Sequence, residues 1–156
     1  MRNARELLTT TVPALVLFAS VSAAVSHAQA AEGHGHVVVS ADEVEWKPGP
    51  PILSGVEMAV LSGNPTEDGP FIMRLKFPAF FDYQVHRHPG TEGHVTVLSG
   101  AIGMALGETF DRYAAPPLPA GSYFVMPDEW HFAWTYEETI VQVHGDGPWR
   151  VEFLDR

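Results

Sequence analysis

From residue 56 onward, hydrophobic and polar positions alternate in short runs that glycine and proline separate. In the clearest run, 71–77, every second residue is apolar, so these apolar side chains share one face of an extended strand. We interpret the runs as strands at 56–61, 71–77, 83–88, 95–98, 100–106, 123–126, 132–135, 139–144 and 149–154. Many short strands at near-regular spacing, with little or no helix after residue 30, predict an all-β barrel or sandwich.

The first 30 residues have the features of a secretory signal peptide. Two arginines precede an apolar stretch at 12–25, and Ala28 and Ala30 are the small residues that a signal peptidase reads. The stretch is short and contains Pro13, which disfavours a retained membrane anchor. We therefore expect cleavage after Ala30 and a periplasmic or secreted protein without a stable membrane anchor.

The rest of the chain is sufficient for one domain. We divide the sequence into a signal peptide at 1–30, an N-terminal extension at 31–52 and a β-barrel domain at 53–156. The formal net charge of −10 argues against nucleic acid as a partner, because its phosphates would repel the chain. There is no cysteine, so thiolate metal sites and cysteine nucleophiles are excluded, and a metal ion would have to bind His, Asp or Glu.

Histidines provide the candidate metal site. His86 and His88 are two residues apart in a predicted strand, so their side chains lie on the same face. Glu92 and His131 each follow a tight loop and can approach the pair. Imidazoles with one carboxylate suit a single divalent transition metal, for which we favour Fe or Mn, with Zn, Ni, Co or Cu as alternatives.

The segments that carry these residues resemble the two sequence motifs of the cupin superfamily. Residues 86–100, which end in the sequence Leu-Ser-Gly, resemble the first motif, and residues 121–131 resemble the second. The resemblance covers about residues 53–154 and is closest to small single-domain bacterial cupins. It implies a double-stranded β-helix, or jelly roll, in which His86, His88 and His131 bind the metal beside an apolar and aromatic cavity.

The fourth ligand remains open. By the spacing of the family, the motif glutamate falls at Gly93, so Glu92 is one residue early and His94 is one residue late. A bulge at Gly93 would turn Glu92 inward, and glycine favours such bulges. Otherwise His94 is the alternative ligand.

Other residues could shape the cavity. Met73, Phe132 and Trp134 are candidate pocket residues, although apolar side chains of this kind more often belong to the core. Gln142 and His144 alternate with two valines, and the pattern does not decide which pair faces inward. Gln142 would line the pocket if it faced inward, and His144 would then be a proton carrier.

Two classes of function remain open. The first is an exported metal-dependent enzyme acting on a small polar metabolite, as an oxygenase such as a dioxygenase, an isomerase or a lyase. The second is a non-enzymatic module that binds a small ligand or metal, since the fold alone does not decide between them. The resemblance also implies a homodimer formed through a sheet face, to which Phe80, Phe81 and Tyr83 would contribute.

Overall fold

Two antiparallel β-sheets enclose the core of the protein. The structure is a computed structural model that describes residues 36–154. Its strands are β1 Lys47–Pro48, β2 Glu57–Ser62, β3 Gly69–Phe77, β4 Asp82–Arg87, β5 Gly93–Ser99, β6 Ala101–Leu106, β7 Leu118–Pro119, β8 Tyr123–Met126, β9 His131–Thr135, β10 Thr139–Gly147 and β11 Glu152–Phe153. The predicted signal peptide lies outside the described residues.

The strand order is that of a jelly roll. The larger sheet has the order β1-β2-β3-β10-β5-β8 and the smaller has β11-β4-β9-β6-β7. Strands that are neighbours in space, such as β3 and β10, are therefore distant in sequence. Within residues 36–154 the helices are two single 3₁₀ turns, Ala41–Glu43 and Pro51–Leu53, neither of which is long or apolar enough to cross a membrane. The predicted all-β fold is confirmed.

Alternation along the long strands builds the main core between the sheets. The odd-numbered residues of β3 from Phe71 to Phe77 point inward and pack against Val141 and Val143 of β10 and Val95 of β5. Each such side chain contributes about 1.5–3 kcal/mol when it is fully buried. The even-numbered residues of these strands face outward, so the larger sheet has one apolar and one mixed face.

A second apolar cluster lies on the other face of the smaller sheet. Phe132 and Trp134 alternate with the cavity-facing residues of β9 and pack against Phe110, from the segment that joins β6 to β7. A Cβ atom at Gly103 of β6 would overlap the Trp134 ring, so a glycine is needed there. Phe132 and Trp134 are therefore core residues of this cluster, which corrects their prediction as pocket residues.

Two short strands were absent from the sequence prediction. β1 contains Pro48 and lies in the predicted N-terminal extension, yet it pairs with β2. β7 lies in a proline-rich segment between two predicted strands, and it pairs with β6. Both strands have two residues only, so they carry no alternation that a sequence pattern could show.

The aromatic residues considered for a dimer interface are mostly internal. Phe80 is 73% exposed, whereas Tyr83 is buried and Phe81 packs against the core. Only Phe80 of the three is therefore available on the surface, and the homodimer stays a prediction from the resemblance.

Candidate metal centre

Three histidines meet inside the barrel. His86 on β4 lies directly opposite His131 on β9, and His88 follows β4. All three side chains are buried, and their ring centroids are 4.3 to 5.3 Å apart. An irregularity between Tyr83 and His86 lets both residues face inward on β4, where the two rings stack at 3.6 Å. We call His86, His88 and His131 the three-histidine site.

Backbone carbonyl groups fix the tautomer of each ring. Each Nδ1 atom lies at hydrogen-bond distance from a main-chain oxygen, and because a carbonyl can only accept, Nδ1 carries the proton and donates it. The Nε2 atom therefore keeps its lone pair. The acceptors are the carbonyl oxygens of Gln84 at 2.6 Å from His86, Arg150 at 2.8 Å from His88 and Glu129 at 2.8 Å from His131.

The three Nε2 atoms converge without partners. Each is buried and lacks a hydrogen-bond partner within the described part of the chain. One ring nitrogen of each histidine lies within 4.8 Å of the corresponding nitrogens of the other two. An unsatisfied buried polar atom costs about 1–3 kcal/mol, so three converging lone pairs are a costly arrangement unless a ligand satisfies them. The three-histidine site could thus bind a metal ion.

Burial keeps the three imidazoles neutral. It lowers the pKa of His86 to about 2, with repulsion from a protonated His131 as the next cause. Burial also lowers the pKa of His88 to about 4, although the hydrogen bond to the Arg150 carbonyl acts to raise it. The pKa of His131 is lowered by burial as well. Only neutral imidazole can donate to a metal, so the site is in its metal-binding form at neutral pH.

Glu92 and His94 are not brought to the three-histidine site. Glu92 is exposed, and one of its carboxylate oxygens lies 3.2 Å from Nε2 of His94 on the outer face of the sheet. His94 also lies 2.5 Å, through Nδ1, from the Tyr123 hydroxyl. The pairing of β5 continues in register through Gly93 on both sides, so no bulge turns Glu92 inward. This corrects the prediction that Glu92, or His94 in its place, is the fourth ligand.

The inward position on this strand belongs to Gly93, and Trp149 occupies the space in front of it. A Cβ atom at Gly93 would lie 2.6 Å from Cη2 of Trp149 and 2.8 Å from Cε of Met126. The Trp149 ring stacks on His88 and meets Phe71 edge-on, and its backbone N–H donates to the Pro65 carbonyl at 2.7 Å. Sequence reasoning missed Trp149, because a loop contact and not strand alternation sets its position.

A cavity of about 430 Å³ opens from the three histidines, and its wall is almost entirely apolar. Met73 lines it, as predicted from the sequence. The other wall residues, apart from the three histidines, are Pro48, Gly49, Pro50, Leu53, Met58, Pro65, Thr66, Leu75, Phe77, Tyr83, Val95, Ile102, Met104, Phe124, Met126, Ala133, Val141, Val143, Trp149 and Val151. Among these described residues there is no Asp, Glu, Lys or Arg.

Gln142 and His144 face away from this cavity. The side chain of Gln142 accepts a hydrogen bond from Nε of Arg74 at 3.1 Å and donates one to Nε2 of His144 at 2.9 Å. Val141 and Val143, which alternate with them on β10, are the residues that point inward. Gln142 is therefore not a pocket residue, and His144 is not placed to carry protons to the three-histidine site.

Comparisons with known proteins agree with the fold. The model of a family described as a domain of unknown function, DUF4437, matches residues 18–152. A search of curated proteins found no significant match.

Among solved structures, KdgF from Halomonas sp. superposes with a TM-score of 0.57 at 21% identity, covering 74% of this chain and 96% of that one. An acetylacetone dioxygenase from Acinetobacter johnsonii has a TM-score of 0.58 at 21% identity, covering 77% of each chain. The cupin domain of Schizosaccharomyces pombe Cnp3 has a TM-score of 0.56 at 14% identity, covering 70% of this chain and 73% of that one. At these identities the likeness shows the cupin fold.

Proposed function

We propose that this chain, which belongs to the DUF4437 family and has the cupin fold, is a metal-dependent oxygenase that acts on a small molecule. His86, His88 and His131 would hold one divalent transition metal, with Fe or Mn favoured. The substrate would occupy the apolar cavity beside them.

The observation that carries the proposal is the set of three converging Nε2 atoms. They are buried, neutral and without partners among the described residues, while their Nδ1 atoms are committed to backbone carbonyls. Such hydrogen bonds orient metal-binding imidazoles and fix the tautomer that binds the metal. Three protein ligands leave coordination positions open, and an Fe or Mn ion there would supply redox chemistry toward O₂ and substrate.

The residues that line the cavity favour an oxygenase over an isomerase or a lyase. Proton-transfer reactions need a general base near the substrate, usually His, Asp or Glu. Outside the three-histidine site, the described cavity wall has Tyr83 as its ionisable group, and burial raises the pKa of this tyrosine. A phenol that resists ionisation is a poor base, so the cavity is better suited to chemistry that the metal itself provides.

The apolar cavity favours a substrate different from the small polar metabolite that the sequence analysis predicts. A small polar metabolite would leave its polar groups without partners against methionine, valine and phenylalanine side chains, which costs free energy. We therefore propose a substrate with a small apolar body and a polar group near the three-histidine site. One solved relative of the fold is named as an acetylacetone dioxygenase, and a small-molecule oxygenase would be in keeping with that name.

Metal analysis and oxygen uptake test the proposal. The protein would be purified without a histidine tag, its metal content determined by mass spectrometry, and O₂ consumption measured with a panel of small apolar acids, ketones and phenols. We expect one metal per chain and substrate-dependent uptake that His131→Ala abolishes. A protein that takes up no metal contradicts the proposal, and a protein that holds metal but consumes no O₂ with any compound favours a binding module.

We also propose that the protein is exported. The support is the sequence of residues 1–30, with its basic start, apolar stretch and Ala28 and Ala30. Mass spectrometry of the protein isolated from its native cell would show a chain that begins near Ala31. A full-length chain starting at Met1 would contradict export.

A further inference from the structure

We infer that the three-histidine site takes an anionic ligand, a small carboxylate with an apolar body. Trp149 is the residue that maintains this preference, because it occupies the place from which the protein could supply a carboxylate of its own. The inference rests on the proposed metal site and specifies the class of ligand that completes it.

The first step concerns charge. The protein offers three neutral imidazoles, and the described wall of the cavity contains no carboxylate. Glu92 points to the outer face of the sheet. Asp128 is exposed at the surface, where its carboxylate accepts the Gly90 N–H at 2.9 Å. A divalent metal at the site would therefore keep its double positive charge.

The second step concerns the space in front of Gly93. This position points inward from β5 beside the site, yet it carries no side chain. The indole of Trp149 lies where a Cβ atom would project, and it is held there by the His88 and Phe71 rings and by the Pro65 carbonyl. The absence of a carboxylate thus follows from the packing of a large and well-anchored side chain.

The third step follows from electrostatics in an apolar cavity. An uncompensated charge is costly to bury, and a ligand of opposite charge beside it offsets that cost. A neutral ligand of the same shape makes the same apolar contacts but leaves the charge uncompensated. We therefore expect a carboxylate to bind at least about 10-fold more tightly than the matching amide.

The cavity wall restricts the rest of the ligand. A carboxylate group beside the histidines would leave the remaining atoms against Met73, Val95, Phe124 and Val143, which offer no side-chain hydrogen bonds. Hydroxyl groups or a second carboxylate would be desolvated there without partners. Monocarboxylates with an aliphatic or aromatic body should bind, whereas dicarboxylates of similar length should not.

Ligand binding to the cobalt-loaded protein tests the inference without reference to activity. Co²⁺ would be added to metal-free protein, and its visible absorption would be followed during titration with benzoate, benzamide, butanoate, butanamide and succinate. We expect each monocarboxylate to change the spectrum and to bind at least about 10-fold more tightly than its amide and than succinate. Equal affinity of acid and amide, or no response to either, would overturn the inference. Failure of the protein to bind cobalt would instead refute the proposed metal site.

A variant that supplies the missing charge provides a second test. In the double variant Gly93→Glu/Trp149→Gly, the indole is removed and a carboxylate enters from the inward position of β5. We expect tighter cobalt binding than in Trp149→Gly alone, and a benzoate-to-benzamide affinity ratio that falls toward one. His94→Ala, on the outer face of the same strand, is the matched control and should keep the ratio of the unmodified protein. An unchanged ratio in a folded, cobalt-loaded double variant would contradict the role of Trp149, and if the variant does not fold, the comparison of acid and amide decides.

Discussion

The indole of Trp149 lies against the imidazole of His88, with ring centroids 3.9 Å apart and planes 29° from parallel. The next residue, Arg150, accepts the hydrogen bond from Nδ1 of the same imidazole at 2.8 Å. Two consecutive residues therefore hold His88 by its face and by its edge. The orientation of a metal-binding ring depends on such contacts, so this segment is part of the candidate metal centre.

The variant Trp149→Ala should weaken metal binding without abolishing it. The three Nε2 atoms remain, but His88 loses the ring that restricts its orientation, and changes of this kind typically cost about 10–100-fold in metal affinity. Competition with a coloured chelator would measure the change. Trp46→Ala is a suitable control, because Trp46 lies over Lys76 away from the site, and its removal should leave metal affinity unaltered. Equal losses in both variants would contradict a specific role for Trp149.

Substituting the histidines one at a time distinguishes those that bind the metal from those on the outer face of the sheet. His86→Ala, His88→Ala and His131→Ala should each lose bound metal and the thermal stabilisation that metal provides, about 2.7 kcal/mol at a metal concentration one hundredfold above Kd. His94→Ala and His144→Ala are matched controls on the outer face, where both residues have other hydrogen-bond partners. Metal analysis and thermal melts with and without added metal would measure both effects. Full metal occupancy in the three inner variants would place the site elsewhere.

The metal-free protein should lose stability as the pH falls below that of unperturbed imidazole. In the unfolded chain histidine binds a proton near pH 6.5, whereas burial lowers the pKa of His88 to about 4 and of His86 to about 2 in the folded chain. Between these values the unfolded state binds more protons, so the stability is complete above pH 6.5 and declines toward pH 4. His88 alone would contribute a loss of roughly 3 kcal/mol.

Urea unfolding in the presence of a chelator would measure this dependence. His88→Leu removes one of the groups responsible, so its stability should vary less between about pH 7 and 4.5 than that of the unmodified protein. His94→Ala keeps the buried groups and should show the unmodified slope. A stability that is flat or that rises with acidity would contradict the assignment of neutral, buried imidazoles.

The sequence was sufficient for the strands and for the shared face of His86 and His88 because both depend on local rules. Alternation places every second residue of β3 in the core, and the same rule places His86 and His88 on one side of their strand, once the irregularity after Tyr83 is passed. The pairing of His86 with His131 comes from the jelly-roll topology, which the motif resemblance implied.

Features that depend on contacts between distant segments could not be read from the sequence. Whether Glu92 faces inward depends on a bulge at Gly93, and the strand partners on both sides keep the pairing regular there. Phe132 and Trp134 are apolar, like the residues that line the cavity. They are core residues instead, because the segment that contains Phe110 covers them. Gln142 and His144 were undecided, because alternation fixes two faces without saying which one is inside.

The fit between Gly93 and Trp149 predicts a specific coupling between their substitutions. In Gly93→Ala the new methyl group would lie 2.6 Å from Cη2 of Trp149, too close for any carbon contact, and the anchored indole must move. Overpacking of this kind typically costs about 1–3 kcal/mol of stability, and here it should also weaken metal binding, since the ring that moves is the one against His88.

A double-mutant cycle measures this coupling. Trp149→Leu frees the space in front of Gly93, so the alanine substitution should be much less destabilising in the Trp149→Leu background than in the unmodified protein. For residues in contact, such interaction free energies are about 0.5–3 kcal/mol. Urea unfolding of the two single variants and the double variant would give the value. Because His94 is adjacent in sequence but faces outward, the cycle of His94→Ala with Trp149→Leu should be additive. Additivity in the Gly93 cycle as well would mean that the two residues are not in contact, and the explanation for the missing carboxylate would fail with it.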